Sequence, residues 1–149
     1  MNEEHKIITD IAYLREPCES VTLEEGMKLG KLLIKCLKTT KSGVGLSANQ
    51  IGIRKRVCVI NVKEPIILVN PELVGCFDKT TFNEGCLSFE GEVIQTQRYK
   101  NVLVKSDTQR SILSFYGIDE LGLLESVCVQ HEIDHLNGIT MHDRKLTRE

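Results

Sequence analysis

No stretch of this sequence approaches the roughly 20 consecutive apolar residues that a membrane-spanning helix needs. The first six residues, MNEEHK, contain neither the basic nor the apolar segment of an export signal. With 19 basic and 21 acidic side chains the formal net charge is −2, which gives no indication of a basic surface for nucleic acid or anionic lipid. These absences predict a cytoplasmic protein that contacts neither nucleic acid nor membrane directly.

Cysteine pairs with the spacing C-x-x-C are also missing, which argues against a thioredoxin-like motif and a zinc ribbon. Six cysteines are present, but 149 residues without an export signal are typical of reduced thiols rather than of a disulfide framework. Repeats, low-complexity tracts and linkers rich in proline, glycine or serine are absent as well. The length, with 41% hydrophobic and 27% charged residues, predicts a single domain over residues 1–149 with one core.

Local patterns predict two helices and several strands. Thr22 and Glu25 form a capping box ahead of apolar residues at helical spacing, so a helix is expected from about Leu23 to Lys38. A second helix is expected from about Asp119 to Gly138, which is a natural left-handed cap. Runs rich in β-branched residues predict strands at 57–62, 66–69, 92–97, 101–105 and 111–116. Helices beside mostly antiparallel strands predict an α+β domain.

The second predicted helix contains the segment QHEIDH at 130–135. Side chains at positions i and i+4 project from one helix face about one turn apart, so His131 and His135 can reach one cation. Glu132 is rotated by roughly 100° from its neighbour, which places its carboxylate beside the cation. In that position the carboxylate can accept a proton from water. The segment therefore predicts a hydrolytic metal site.

A solvated helix with two exposed histidines is the alternative interpretation, since the motif also occurs by chance. The residues seven, four and three positions before His131 lie on its helix face. They are apolar: Leu124, Val127 and Cys128. Imidazoles without a partner are costly on an apolar surface, and this setting therefore favours the metal site.

The sequence alone does not decide which residue is the third metal ligand. Hydrolytic sites commonly take three protein ligands and leave one position for water. His142 is a candidate, but a third histidine of the extended pattern would fall at the preceding position, which is Met141. Cys128 lies one turn before His131, and spacing does not exclude it. Cys86 follows a glycine between predicted strands, where a bend can aim a thiolate at the helix, and it is preferred on that ground.

Three segments resemble, in order and in spacing, the signature motifs of the peptide deformylase family: GVGLSANQ at 43–50, EGCLS at 84–88 and QHEIDH at 130–135. The likeness extends from about Ile8 to about Asp143. It implies the α+β deformylase fold, in which mostly antiparallel strands surround a central C-terminal helix carrying His-Glu-x-x-His. It also implies metal-dependent hydrolysis of the N-formyl group from the N-terminal formyl-methionine of nascent polypeptides, with release of formate.

The resemblance also implies roles for individual residues. The metal ligands would be Cys86, His131 and His135, with the fourth position for water. Glu132 would be the general acid and base, and the Gln50 amide and the Leu87 N–H would donate hydrogen bonds to the oxyanion. Fe(II) is the metal expected in the cell, with Zn(II) or Ni(II) able to substitute. The expected partners are N-formyl-methionyl peptides or nascent chains, and the expected state is a monomer.

The substrate groove is expected along the first motif. Gly43 and Gly45 are predicted to form a strand edge that pairs with an extended peptide, because small residues allow a close approach. The methionine side chain needs an apolar slot, predicted to be lined by Val44, Leu124, Val127 and Cys128, with Phe82 in addition. Arg98 is expected to touch the peptide backbone. The alternative for the two glycines is a plain turn, and for the apolar residues it is ordinary core packing. The alternative for Arg98 is a solvated side chain.

Three features depart from the family's pattern. Ser47 stands where alanine is usual, and Glu90 replaces a proline that commonly follows the cysteine motif. Only six residues follow Asp143, so the C-terminal helix of many bacterial members is missing. The short C-terminal end is similar to that of the short family members encoded by bacteriophages. Such a member would act in the host cytoplasm. Docking on the ribosome through such a helix is not expected.

Two rival functions differ from deformylation in what they predict. An endopeptidase built on His-Glu-x-x-His would cleave N-blocked peptides without releasing formate. A non-catalytic metal-binding module would need neither Glu132 nor Gln50, so the presence of both residues argues against it.

Overall fold

The computed structural model describes residues 6–41 and 43–146, and expectations for the remaining residues lie outside this part. The helices are α1 (Ile11–Leu14), α2 (Leu23–Lys38) and α3 (Glu120–Leu136). The strands are β1 (Gly45–Ser47), β2 (Val57–Asn61), β3 (Pro65–Val69), β4 (Glu72–Glu84), β5 (Ile94–Lys105) and β6 (Leu113–Tyr116). Short 3-10 helices occupy Ala48–Ile51, Leu87–Phe89 and Met141–Arg144. Within the described ranges, none of the helices combines the length and apolarity needed to cross a membrane.

The strands form two antiparallel sheets. The first has the order β1-β2-β3, and the second has the order β4-β5-β6. Strands β4 and β5 make a long hairpin whose register runs from Glu72 opposite Lys105 to Glu84 opposite Ile94. The loop that closes this hairpin therefore begins directly after Glu84 and carries Cys86.

Helix α2 forms where its capping signal predicts. The Thr22 hydroxyl oxygen accepts a hydrogen bond from the Glu25 backbone N–H at 3.2 Å, and the last turn carries Lys35 and Lys38, which suit the helix dipole. Its buried residues pack against the first sheet. The predicted bounds of this helix are confirmed.

The first sheet is covered on both faces. Val57 and Val59 contribute to the core beneath α2, whereas Cys58 and Ile60 contribute to the core beneath α3. Successive residues of a strand point to opposite faces, so a strand covered twice requires an unbroken apolar run. This explains why β2 has no polar residue before Asn61.

Helix α3 lies at the centre of the fold. Asp119 caps its N-terminus by accepting the Gly122 N–H at 2.7 Å, and Gly138 follows its C-terminus with φ of 76°. The helix contacts strands of both sheets, and its residues from Glu125 to Leu136 are all buried. The predicted α+β arrangement of antiparallel strands around a central C-terminal helix is confirmed.

The hairpin differs from the sequence prediction. The segments predicted at 92–97 and 101–105 belong to one strand, β5, and strand β4 was not predicted. Most β4 side chains are exposed or half-buried, and Asp78 interrupts the strand with φ of 61°. A strand with so little burial lacks the apolar alternation on which prediction depends.

The packing of α2 on β3 generates a prediction at Gly30. A Cβ atom there would lie 2.3 Å from Cγ2 of Ile67, whose β-branched side chain has little freedom to move. In a helix interior, alanine normally stabilises over glycine by about 1 kcal/mol. We expect Gly30→Ala instead to lower the free energy of unfolding by about 1–3 kcal/mol in urea titrations, because of overpacking. Lys31→Ala on the exposed face is the control. A stabilised Gly30→Ala protein would contradict the packing described.

Candidate metal centre and catalytic groove

Three potential ligand atoms meet at one point between α3 and the loop after β4. The Nε2 atoms of His131 and His135 face each other at 3.0 Å, and the Cys86 Sγ lies 3.5 Å from Nε2 of His135. All three ligand atoms lie within 4.8 Å of one another. Both histidines are buried, whereas Cys86 is half-buried at the wall of a groove.

These distances fit a single tetrahedral cation. Bond lengths of about 2.1 Å to nitrogen and 2.3 Å to sulfur separate tetrahedral ligands by about 3.4 Å for two nitrogens and about 3.6 Å for nitrogen and sulfur. The observed separations of 3.0 and 3.5 Å are close to these values. One thiolate and two imidazoles are also donors that suit Zn(II), Fe(II) and Ni(II).

The other two candidate ligands point elsewhere. The Cys128 thiol donates to the Val44 carbonyl at 3.5 Å, and burial, with the charge of Glu132, raises its pKa well above the usual range. His142 Nε2 lies 3.1 Å from Oε1 of Glu92. Within the described chain, the group of facing ligand atoms contains neither residue. Of the alternatives that the sequence left open, Cys86 is the one that lies with the two histidines.

The orientation of His131 is fixed by a buried carboxylate. Its Nδ1 donates to Oε1 of Glu84 at 2.8 Å, which assigns the proton to Nδ1 and leaves the Nε2 lone pair for a cation. Glu84 also accepts from Arg98 and from the Thr96 hydroxyl. Although burial opposes ionisation, the hydrogen bonds from Arg98 and His131 lower the pKa of Glu84 to about 2. Glu84 is therefore a permanently charged partner for the imidazole.

The two imidazoles differ in their electrostatic setting. Burial alone would lower the pKa of His131, but the charge of Glu132 and the contacts with Cys86 and Glu84 raise it well above the usual range. The pKa of His135 is lowered, first by burial and then by the neighbouring His131. Among the described residues, Nδ1 of His135 is buried without a hydrogen-bond partner. Of the two imidazoles, His131 therefore binds a proton more tightly.

Glu132 lies beside the ligand group, as the helix geometry predicts. Its side chain is buried, and among the described residues its Oε1 has no hydrogen-bond partner. Burial raises its pKa to about 7, which suits a group that accepts and returns a proton near neutral pH. A Cβ on Gly45 would lie 2.6 Å from Oε2 of Glu132. The glycine is therefore required to make room for this carboxylate.

Gln50 presents its amide nitrogen to the site. The side-chain oxygen accepts from the Ser47 N–H at 3.0 Å, so the amide is oriented with its nitrogen outward. That nitrogen lies 3.6 Å from the Cys86 sulfur and 3.1 Å from the Ser88 hydroxyl. Leu87 is the first residue of a 3-10 helix, where backbone N–H groups have no acceptor within the helix. Two donors therefore flank the cysteine.

A groove of about 570 Å³ opens beside these groups. The predicted substrate residues that line it are Gly43, Val44, Gly45, Phe82, Leu124, Val127 and Cys128. The groove walls also include residues that the sequence analysis did not assign to substrate binding: Asn83, Gly85, Phe89, Glu90, Gly91 and Glu92. Most of these belong to the loop between β4 and β5, whose path the sequence did not reveal.

Arg98 does not fit its predicted contact with the peptide. Its side chain is 3% exposed and is not part of the groove wall. Its guanidinium bonds Glu84 and Asp134, with Nη1 2.6 Å from Oδ2 of the aspartate. Neither acidic residue was assigned a role from the sequence. Acidic side chains in motifs expected to be buried are the signal that could have revealed the network, because buried charges need partners.

The fold and the site together define a class of protein: an α+β metallohydrolase with two histidines and a glutamate on a central helix and a cysteine on a neighbouring loop. The sequence profile of the polypeptide deformylase family matches residues 5–149, and the chain belongs to that family. It is an enzyme that hydrolyses a formyl amide, as the resemblance predicted.

Individual relatives agree with this assignment. The chain is 41% identical over 135 residues to a peptide deformylase of Heliobacterium modesticaldum, with 88% of this chain and 86% of the relative covered. It is 38% identical over 132 residues to a peptide deformylase of Hydrogenovibrio crunogenus, with 84% of this chain and 75% of the relative covered. The crystal structure of peptide deformylase from Thermotoga maritima superposes with a TM-score of 0.82 at 29% identity, covering 98% of this chain and 100% of the other.

The low pKa of Glu84 predicts a pH-dependent stability. Its value in the folded protein, about 2, lies below its ordinary value of 4.5. The ionised carboxylate therefore contributes stability that is fully present above pH 4.5 and is lost as the pH falls toward 2. In urea titrations of metal-free protein at pH 6, the parent should exceed Glu84→Gln by about 3 kcal/mol. This gap should shrink steadily below pH 4.5.

The exposed Glu90 in the adjoining loop provides the matched control. Glu90→Gln should leave the free energy of unfolding nearly unchanged throughout this range. A gap between parent and Glu84→Gln that stays constant from pH 6 to pH 3 would contradict the network around Glu84.

Proposed function

We propose that Cys86, His131 and His135 hold a divalent cation with which the chain removes the formyl group from N-formyl-methionyl peptides. The observation that carries this proposal is the meeting of three ligand atoms within 4.8 Å beside a buried glutamate. When bound, the cation supplies Lewis-acid chemistry, because it acidifies water and polarises the formyl carbonyl. We infer Fe(II) as the metal in the cell, and the donor set is equally compatible with Zn(II) or Ni(II).

Glu132 moves the proton. Its carboxylate takes a proton from the attacking water as that water adds to the formyl carbon, and then returns a proton to the departing amine. The pKa of about 7 produced by burial supports both steps, since acceptance and return are then nearly balanced at neutral pH. The free Oε1 supplies the acceptor atom. Release of formate completes the cycle.

Gln50 and Leu87 stabilise the negative charge that develops on the formyl oxygen. The Gln50 amide is oriented in advance by its bonds to Ser47, so it needs little reorganisation during the reaction. The Leu87 N–H is the second donor, on the residue that follows Cys86 and lines the same groove. A pair of such donors is the usual composition of an oxyanion hole.

The peptide extends the first sheet. Strand β1 is the terminal strand in the order β1-β2-β3, and Gly43, Val44 and Gly45 also line the groove. A terminal strand beside a groove has backbone groups available to a further strand, so the substrate backbone pairs along β1. The methionine side chain then occupies the apolar part of the groove, between Leu124, Val127 and Cys128 on α3.

The non-catalytic rival function lacks support from the site. A non-catalytic metal module has no use for a glutamate with raised pKa or for an oriented amide donor, yet Glu132 and Gln50 flank the ligands. The packing of α3 against both sheets supports a single catalytic domain. Action as a cytoplasmic monomer, without direct contact to nucleic acid or membrane, remains a prediction that sedimentation and cell fractionation can test.

The decisive experiment measures formate release from formyl-Met-Ala-Ser by protein purified anaerobically with Fe(II) or Ni(II). We expect formate and free Met-Ala-Ser, with no cleavage between residues. Cys86→Ala should lose both bound metal and turnover, whereas Cys128→Ala should retain stoichiometric metal. Internal cleavage without formate would instead identify an endopeptidase, and bound metal without any turnover would identify a non-catalytic module.

Loss of the Gln50 amide should slow the reaction without releasing the metal. Removing one oxyanion donor typically lowers the rate by ~10²–10³-fold, so we expect a decrease of that order in kcat for Gln50→Ala. Gln97→Ala, an exposed glutamine on β5, is the matched control. Metal content should equal that of the parent in both variants. Turnover by Gln50→Ala at the parental rate would show that its assigned role is wrong.

A further inference from the structure

The segment after α3 is connected to the metal ligands through the protein interior. We call residues 140–146 the C-terminal strap. It contains the 3-10 helix Met141–Arg144 and then runs beside β5. There Lys145 forms an antiparallel β-bridge with Thr96, and the Leu146 N–H donates to the Gln95 carbonyl at 2.9 Å. The strap therefore lies against the part of β5 that supports Glu84.

Arg144 is the strap residue that reaches inward. Its Nη2 donates to Oδ1 of Asp134 at 2.9 Å, and its Nε donates to Oδ2 at 3.0 Å. This is a bidentate contact of the kind that fixes both partners in orientation. Asp134 is buried on α3, one residue before the ligand His135.

Arg98 carries the connection onward. Its Nη1 donates to the same Oδ2 of Asp134 at 2.6 Å, and its Nη2 donates to Oε1 of Glu84 at 2.8 Å. Glu84 Oε1 in turn accepts from Nδ1 of His131 at 2.8 Å. A continuous series of charge-assisted hydrogen bonds thus runs from the strap to a metal ligand.

A second connection supports the same carboxylate. The Thr96 hydroxyl donates its proton to Glu84, and its oxygen lies 3.2 Å from the Phe82 carbonyl oxygen. Thr96 is also the β5 residue whose backbone pairs with Lys145 of the strap in a β-bridge. The strap therefore supports Glu84 through side chains on one route and through backbone pairing on another.

Arg144 supplies the second guanidinium for the two buried carboxylates. Glu84 and Asp134 carry two negative charges, and Arg98, which is 3% exposed, supplies one positive charge between them. Without Arg144 the single guanidinium of Arg98 would serve two buried carboxylates, and its hold on Glu84 would weaken, because an uncompensated buried charge is costly. The side chain of Arg144 is 43% exposed, so it closes the network at the protein surface.

We propose that Arg144 is a positioning residue, which keeps Arg98 on Glu84 and thereby holds His131 in the orientation that binds the cation. This inference rests on the proposed role of His131 as a metal ligand. Partners that orient metal-bound histidines change metal affinity by roughly 10–100-fold when removed. Arg144 acts on Glu84 through two intervening residues, Asp134 and Arg98, and it is partly solvated. We therefore expect Arg144→Gln to release metal roughly threefold to tenfold faster.

The experiment uses the full chain loaded with Co(II), whose absorption spectrum reports on ligand geometry. We compare the parent with Arg144→Gln and with Arg144→Lys, which keeps the charge but not the two-pronged contact. Arg15→Gln is the matched control, because Arg15 pairs with the strap residue Asp143 at 3.3 Å but does not touch Asp134. The readouts are the Co(II) bands, the rate of metal release to a chelator, and kcat and KM for the formyl peptide.

We expect shifted Co(II) bands, faster metal release and lowered kcat with little change in KM for Arg144→Gln. Arg144→Lys should fall between this variant and the parent, and Arg15→Gln should match the parent. Measurements are made where circular dichroism shows every variant folded. Loss of stability alone would leave the spectrum and the release rate of the folded protein unchanged, and that result would overturn the proposal.

A second comparison tests the route. In the background of Glu84→Gln the connection is already broken, so adding Arg144→Gln should leave metal release no faster than in Glu84→Gln alone. Additive effects would show that Arg144 does not act through Glu84, against the proposal. If the parent chain shows no thiolate-to-Co(II) band, the proposed function fails as well. If that band is present but insensitive to Arg144, only this inference fails.

Discussion

The structure depends on the burial of ionisable side chains in the middle of one helix. His131, Glu132, Asp134 and His135 lie within five residues of α3, and each is at most 7% exposed. Water cannot stabilise these groups, so the protein must supply partners or shift their protonation. Asp134 accepts hydrogen bonds from two arginines, Arg98 and Arg144, and His131 donates a hydrogen bond to Glu84. The proposed chemistry uses Nε2 of both histidines, which face each other at 3.0 Å, and Oε1 of Glu132, which has no hydrogen-bond partner among the described residues.

This requirement explains the position of the helix. A helix that is buried all round needs covering on every side, and here two sheets provide it, one beneath α2 and one formed around the β4–β5 hairpin. The hairpin brings Glu84 and Arg98 to opposite strands of one ladder, where they meet each other and the helix. The loop that closes the hairpin then places Cys86 at the imidazoles. Two of the supporting charges and the proposed third ligand thus lie on one hairpin and its loop.

Local signals made much of this predictable from sequence. The caps Thr22 and Asp119 mark the two long helices, because capping involves residues only three positions apart. The spacing of His131 and His135 likewise gives their common face. The burial of Arg98 could not be predicted from local signals, because its partners, Glu84 and Asp134, are 14 and 36 residues away in the sequence. A buried arginine and a solvated one look alike in a sequence, and only the fold distinguishes them.

The choice between Cys86 and Cys128 shows how burial determines chemistry when residue type does not. Both thiols line the same groove. Cys128 lies on the helix, where desolvation and the nearby Glu132 keep its proton in place. Cys86 lies on a loop, where its half-buried sulfur is 3.6 Å from the Gln50 amide nitrogen and 3.5 Å from Nε2 of His135. A cysteine that binds a metal does so as the thiolate. The proposed thiolate ligand therefore comes from the half-buried loop and not from the helix that carries both histidines.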